Sequence, residues 1–127
     1  MHAPVLPSQL HSRPMRADDA ARWAELLAAA EEVDRRGENY DAQDCADELA
    51  DPEVDLERNS CIVLDGERPV AYQVLHLREG VEGRRLFAEG TVHPAHRRRG
   101  IGSALLAVAR RRAEELSATL TVRVAES

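Results

Sequence analysis

The chain contains no lysine among its 127 residues. A P-loop closes on Lys-Ser/Thr, so that way of holding a nucleotide is excluded at the outset. Aromatics are also scarce, namely Trp23, Tyr40, Tyr72 and Phe87. With so few, and with no recognisable nucleic-acid motif, a nucleic-acid partner is not expected. No stretch approaches the roughly 20 apolar residues of a membrane span. The opening segment MHAPVLPSQLHSRPM lacks the basic region and apolar core of a signal peptide. The two cysteines, Cys45 and Cys61, are too few for a disulfide scaffold and have no metal-ligand spacing. The expectation is two reduced, partly buried thiols in a cytoplasmic protein, without a metal site. The length suits a single domain, 1–127, large enough to build a core.

The net charge of −6 conceals an asymmetry. Residues 1–92 carry ten arginines against 20 carboxylates, whereas residues 93–127 carry seven arginines against three. Positive charge is therefore gathered in the last quarter of an acidic chain, where an anionic ligand would bind.

That region opens with Thr91–Leu106, TVHPAHRRRGIGSALL. An apolar run ending at Val92 meets a basic turn, then Gly100 and Gly102, then an Ala/Leu-rich helix. The amide N–H groups at a helix start have no intrahelical partner, and the helix dipole adds partial positive charge there. Glycines let the backbone turn tightly and let a phosphate approach it. Arg97, Arg98 and Arg99 add full charges just before them. A Rossmann fingerprint would need a third glycine where Leu105 stands, so that reading fails.

Along the chain, His11 to Met15 suits a short first strand. Asp18 or Asp19 then caps a helix bearing Trp23, Leu26, Leu27, Ala30 and Val33 at helical spacing, a stripe expected in the core. That helix fails around Gly37. Asp41 can cap a second short helix, with Asp44 in its first turn, Cys45 and Leu49 on one face, and Pro52 beyond its end. Ser60–Leu64 and Pro69–Leu77 read as strands joined by an Asp65-Gly66 hairpin turn. Glu79–Gly83 turns the chain into a third strand, Arg84–Val92, and the short connections imply antiparallel pairing. Ser103–Leu116 is helical, with Leu105, Val108 and Leu116 toward the sheet. On that helix Arg110 with Glu114, and Arg111 with Glu115, form a solvated face. Thr119–Val124 alternates as a final strand.

Arg97-x-x-Gly100-x-Gly102, led in by Val92-His93-Pro94 and followed by Leu105-Leu106, resembles the acetyl-CoA-binding motif of the GNAT acyltransferases. The element order β-α-α-β-β-β-α-β is similar to that α+β fold, a mixed sheet flanked by helices, from its first strand through its fifth. Family members continue with a fourth helix and a sixth and seventh strand, and this sequence stops at Ser127. The segment Glu31–Leu56, with its acidic helix end, Gly-Glu-x-Tyr-Asp loop and Glu-Leu-Ala-Asp-Pro run, resembles the N-terminal repeat of tandem GNAT proteins, the type that includes mycothiol synthase. The alternative is a self-contained small member completed by strand exchange in a homodimer. Either way the open edge of the last strand invites a partner.

The resemblance implies an N-acetyltransferase with acetyl-CoA as acyl donor and the primary amine of a small molecule as acceptor. It places the pyrophosphate on the amides of Arg98, Arg99, Gly100, Ile101, Gly102 and Ser103. Arg97 fills the first motif position, Val92 offers its backbone to the pantetheine, and His93 is structural. The pantetheine would enter a gap between the strands Arg84–Val92 and Thr119–Val124, where Gly90 is a candidate bulge. Acyl transfer needs a base for the amine, donors for the oxyanion and a proton for the leaving thiolate. Glu89, the sole carboxylate between Arg84 and Val92, is the candidate base. Glu38 and Tyr40 are candidates beside the acceptor. The family's proton donor is often a tyrosine on the fourth helix, which has no counterpart here. Either the donor lies in a missing segment, or this is a half that binds CoA without turnover.

Overall fold

The computed structural model describes residues 3–37 and 39–124. Five strands form one sheet in chain order: β1 (His11–Arg13), β2 (Ser60–Asp65), β3 (Arg68–Gly80), β4 (Gly83–Val92) and β5 (Thr119–Val124). β1 to β4 pair antiparallel, and β5 joins β4 in parallel. A parallel neighbour needs a crossover, which the helix α4 (Ile101–Glu115) supplies. α1 (Ala20–Asp34) and α2 (Ala42–Leu49) cover the other face.

β1 is shorter than the expected His11–Met15. Pro14 has no N–H to continue a ladder, and the Met15 N–H goes instead to Ser60 Oγ at 3.0 Å. Asp19 caps differently from the expectation too. Its side chain makes no N-cap bond to α1; it accepts from the Arg16 N–H at 2.7 Å and from both Arg13 terminal nitrogens at 2.8 Å. The carboxylate is fully buried, so this arginine clasp is what allows it inside. Asp41 caps α2 as expected, accepting from the Asp44 N–H at 2.9 Å, with Asp44 returning a bond to the Asp41 N–H. A one-turn α3 (Leu56–Asn59), capped by Asp55, is an addition to the expected order.

The α1/α2 face packs Met15, Trp23, Leu26, Cys45 and Leu49 onto Ile62, Leu64, Tyr72 and Val74. Each fully buried Leu or Ile here contributes about 1.5–3 kcal/mol relative to exposure. Val33 departs from the expected stripe: it sits in the last turn of α1, exposed, one residue before the ion-paired Asp34. On the opposite face Ile101, Leu105, Ala109 and Ala113 put the same side of α4 against the sheet, the two alanines letting the helix come close. Leu116 is half-buried in that layer and Val108 borders a cavity, whereas Arg110, Arg111, Glu114 and Glu115 face solvent. α4 also begins earlier than Ser103, because Gly100, left-handed at φ 80°, ends the turn and frees Ile101 to open the helix.

Register through β3 and β4 is unbroken from Ala71↔Val92 to Gly80↔Gly83. The expected bulge at Gly90 is therefore absent, and the sheet's irregularity lies between Val63 and Leu64 in β2. Glycine is required at position 90 for another reason: a Cβ there would stand 2.7 Å from the Tyr72 carbonyl oxygen.

Candidate functional site

β4 ends at Val92, and a 3-10 turn, Pro94–His96, carries the chain toward Gly100. His93 Nδ1 accepts from the Ala95 N–H at 3.0 Å, so its ring caps this turn. Arg98 and Gly100 are both left-handed, at φ 64° and 80°. For Arg98 that conformation costs about 1 kcal/mol or more. The first bond into α4 runs from the Ala104 N–H to the Gly100 carbonyl at 3.0 Å. The amides of Ile101, Gly102 and Ser103 thus have no intrahelical acceptor, and the positive end of a 15-residue helix lies behind them. Around Gly100 the space a side chain would take is open. This turn fits an anionic group, including the pyrophosphate of a CoA.

The three arginines diverge. Arg97 points inward: both terminal nitrogens donate to Asp34, at 2.7 and 2.8 Å, and its Nε donates to the Val92 carbonyl at 3.0 Å. Arg98 and Arg99 are exposed at the turn. Arg99 stands 2.9 Å from His96 Nδ1, and burial together with the Arg99 charge holds the His96 pKa below its ordinary value. Val92 alternates out of the β3 ladder, since the next bond to β3 is His93 N–H to the Val70 carbonyl at 2.7 Å. Its backbone faces the β5 side, and the described β4–β5 pairing stops short of it at Gly90↔Val124.

Across the sheet from α4, Glu89 shares a face with Tyr72, Val74 and His76. A cleft of about 680 Å³ is bordered there by Trp23, Glu48, Asp51, Val74 and His76. Trp23 and Glu48 also border a second, much narrower pocket, lined by Tyr40, Asp44, Tyr72 and Glu89. The structure thus brings Glu89 and Tyr40 to one recess, while Glu38 lies outside the described residues. His76 Nε2 meets Glu89 Oε1 at 3.2 Å. Burial, then the charge of Glu89, pushes the Glu48 carboxyl above its usual range, with His76 acting in the opposite sense. The Tyr72 hydroxyl is pushed up strongly by burial, its ring against Trp23 at 5.0 Å between centroids. A separate cavity of about 240 Å³ under α4, among Asn59, Gln73, Val108 and Arg112, touches none of the expected site residues.

Sequence reasoning missed Asp34, Glu48 and His76. The last had a findable signal: once the Glu79–Gly83 turn is placed, hairpin register sets His76 opposite Phe87 and diagonal to Glu89. No group of three or more His, Cys, Asp or Glu suited to a metal occurs among the described residues. No described helix is long and apolar enough to cross a membrane.

The model of the Acetyltransferase (GNAT) family matches residues 20–127. Among solved structures, a GCN5-related N-acetyltransferase from Sphaerobacter thermophilus aligns with TM-score 0.77 and 25% identity, over 97% of this chain and 41% of that one. A tandem GNAT protein from the clavulanic acid biosynthesis pathway aligns with TM-score 0.72 and 33% identity, over 89% of this chain and 36% of its own. A ribosomal-protein-alanine N-acetyltransferase from Brucella melitensis biovar Abortus 2308 shares the fold at TM-score 0.69 and 23% identity, covering 91% of this chain and 79% of that one. The chain therefore spans less than half the length of the first two. No curated protein matches it.

Proposed function

The chain belongs to the GNAT acetyltransferase family, and from that premise we propose that it is an acetyl-CoA-dependent N-acetyltransferase domain acting on the primary amine of a small molecule. One observation carries the reading. A carboxylate at a pocket and a helix start whose first amides have no intrahelical acceptor lie on one continuous segment, with Glu89 three residues before the end of β4. Three residues of strand span about 10 Å, the separation along β4 between Glu89 and the Val92 backbone at which the turn toward α4 begins.

Acetyl-CoA, when bound, supplies the activated acyl group as a thioester. The amides of Ile101, Gly102 and Ser103 hold its pyrophosphate, with Arg98 and Arg99 adding charge at the exposed rim. The Val92 N–H, turned toward the open side of β4, is offered to the pantetheine. An amine reaches the cleft as an ammonium ion, which the acidic wall of Asp44, Glu48 and Asp51 attracts. Glu89 takes its proton, and His76, hydrogen-bonded to Glu89, holds that carboxylate in place. Tyr40, half-exposed at the rim, flanks the acceptor.

A second reading is favoured by the partial coverage of the tandem relative: this is one part of a tandem chain, with a second GNAT domain, or a second copy, completing the sheet beyond β5. In that case it binds CoA with little turnover of its own.

Calorimetric titration of acetyl-CoA into the chain and into Gly102→Val tests the site. Binding on the order of micromolar, lost in a folded Gly102→Val, supports it. Equal affinity in both removes the turn assignment. In an amine screen, Glu89→Gln is expected to slow turnover near neutral pH and to matter less as pH rises, because the amine then deprotonates unaided. A pH–rate profile identical to the parent's removes Glu89 from the mechanism, and CoA binding without turnover selects the second reading.

A further inference from the structure

Arg97 occupies the first position of the glycine motif, yet its guanidinium is spent inside the protein. The Asp34 carboxylate, at the last residue of α1, receives both terminal nitrogens across 63 positions of chain, at 2.7 and 2.8 Å. Nε of the same group closes on the Val92 carbonyl at 3.0 Å. The side chains are only 17% and 16% exposed, so the bridge is shielded from water and salt on most sides. A planar fork held at two edges fixes the orientation of the arginine as well as its position.

Each end of this bridge is itself fixed. Val92 is the last residue of β4, and Arg97 directly precedes the left-handed Arg98. On the other side, the Glu31 carboxylate accepts from the N–H groups of Arg36, at 3.1 Å, and Gly37, at 2.8 Å. The Arg35 N–H meanwhile closes on the Glu31 carbonyl at 3.0 Å. The chain leaving Asp34 is thus pinned before it runs on to Tyr40 and α2 at the acceptor cleft. The hydrogen bonds from the guanidinium hold the Asp34 carboxyl below the usual carboxylate range, so the bridge outlasts an ordinary carboxylate as pH falls.

We propose that Asp34 is a positioning residue for the cofactor turn, acting through Arg97. By holding the guanidinium against the Val92 carbonyl, it sets where the Ile101–Ser103 amides stand relative to the end of β4. It also ties that spacing to the helix that carries the acceptor loop. The proposal rests on the reading that this turn holds the pyrophosphate. It makes a prediction opposite in sign to the simpler idea that Arg97 is a spare cation restrained by Asp34. Releasing a spare cation would tighten binding of an anion, whereas releasing a staple loosens it.

The test is CoA titration of the parent, Asp34→Asn, Arg97→Lys, their double variant, and Arg13→Gln, with thermal unfolding of each. Arg13→Gln breaks the Arg13–Asp19 ion pair, which the turn does not use, and controls for destabilisation alone. Asp34→Asn is expected to weaken CoA binding about tenfold. Arg97→Lys, the milder probe, keeps the charge and loses the fork, so it is expected to weaken binding in the same direction. The double variant is expected to be no worse than the weaker-binding single, because both remove one device. Arg13→Gln is expected to melt earlier with unchanged affinity. A folded Asp34→Asn or Arg97→Lys that binds CoA as well as the parent, or better, overturns the proposal. A parent that binds no better than Gly102→Val overturns the reading of the turn itself, and the proposal falls with it.

Discussion

Replacing Gly90 by alanine adds one methyl group, and the structure says where it must go. An ideal Cβ at that position stands 2.7 Å from the backbone oxygen of Tyr72, with Gln73 Cα at 3.6 Å. Carbon–oxygen contacts relax at about 3.3 Å, so β3 and β4 would have to part by roughly 0.6 Å. The obstacle is main chain, locked in a ladder that continues on both sides of Gly90, so no side chain can swing away. Forced overpacking of this kind costs about 1–3 kcal/mol. In a domain of this size that is a fall of roughly 5–10 °C in melting temperature. Gly80 provides an internal control in the same hairpin. Its added Cβ would meet only the Gly83 oxygen at 3.7 Å, an ordinary contact, and its φ is not in the left-handed region. Thermal and urea unfolding followed by circular dichroism should show Gly90→Ala clearly destabilised and Gly80→Ala close to the parent. If Gly90→Ala melts within about 1 °C of the parent, the close approach of the two strands at this point is wrong.

Two further outcomes follow from buried charge and buried thiols. Asp19 is fully buried; burial pushes its carboxyl up, but the Arg13 hydrogen bonds, the Arg16 N–H and Arg22 outweigh that and leave it below the ordinary value. A lowered folded pKa gives stability that is complete above the unfolded value of about 4 and is lost as pH falls through the folded one. Asp19→Asn should therefore cost about 3 kcal/mol at pH 7 in urea titrations and flatten the loss of stability below pH ~4; an unchanged acid slope would contradict it. Cys45 and Cys61 are both free and buried, with burial pushing each thiol up to about 11. A disulfide reagent at pH 8 should label neither until urea is added, and prompt native labelling of one thiol would show an opening to its cavity.

Most of the sheet was legible because its signals are local. The Asp65-Gly66 turn, with Gly66 at φ 63°, and the apolar runs beside it set β2 and β3. The ends were less legible. Arg78 to Gly80 are exposed where they pair with residues 83–85, and no hydrophobic pattern marks a strand there. α3 is a single turn, too short for any periodicity to register. Helix stripes misled where packing is uneven. Val33 has the right spacing but lies past the edge of the core, while Ala109 and Ala113 look indifferent in sequence and prove to be buried between α4 and the sheet.

The site divides along the same physical line. The glycine turn is a local device, readable from Val92 to Ser103, because its amides, its glycines and its helix are neighbours in the chain. The His76–Glu89 contact spans 13 positions and follows from hairpin register, an intermediate case that needs only one turn placed correctly. The Asp34–Arg97 bridge has no such route. It joins the end of one helix to a turn on the far side of the sheet's sequence, and nothing at either position marks the other. The consequence reaches beyond this pair. An arginine at the head of the motif reads as a charge for phosphate, but its role depends on whether an acid stands where Asp34 does. With that acid present the guanidinium is bonded to Asp34 and to the Val92 carbonyl, and on the proposed reading the anion falls to the amides. Without it the same arginine would lose its forked partner, so the motif alone does not decide which groups an anion meets.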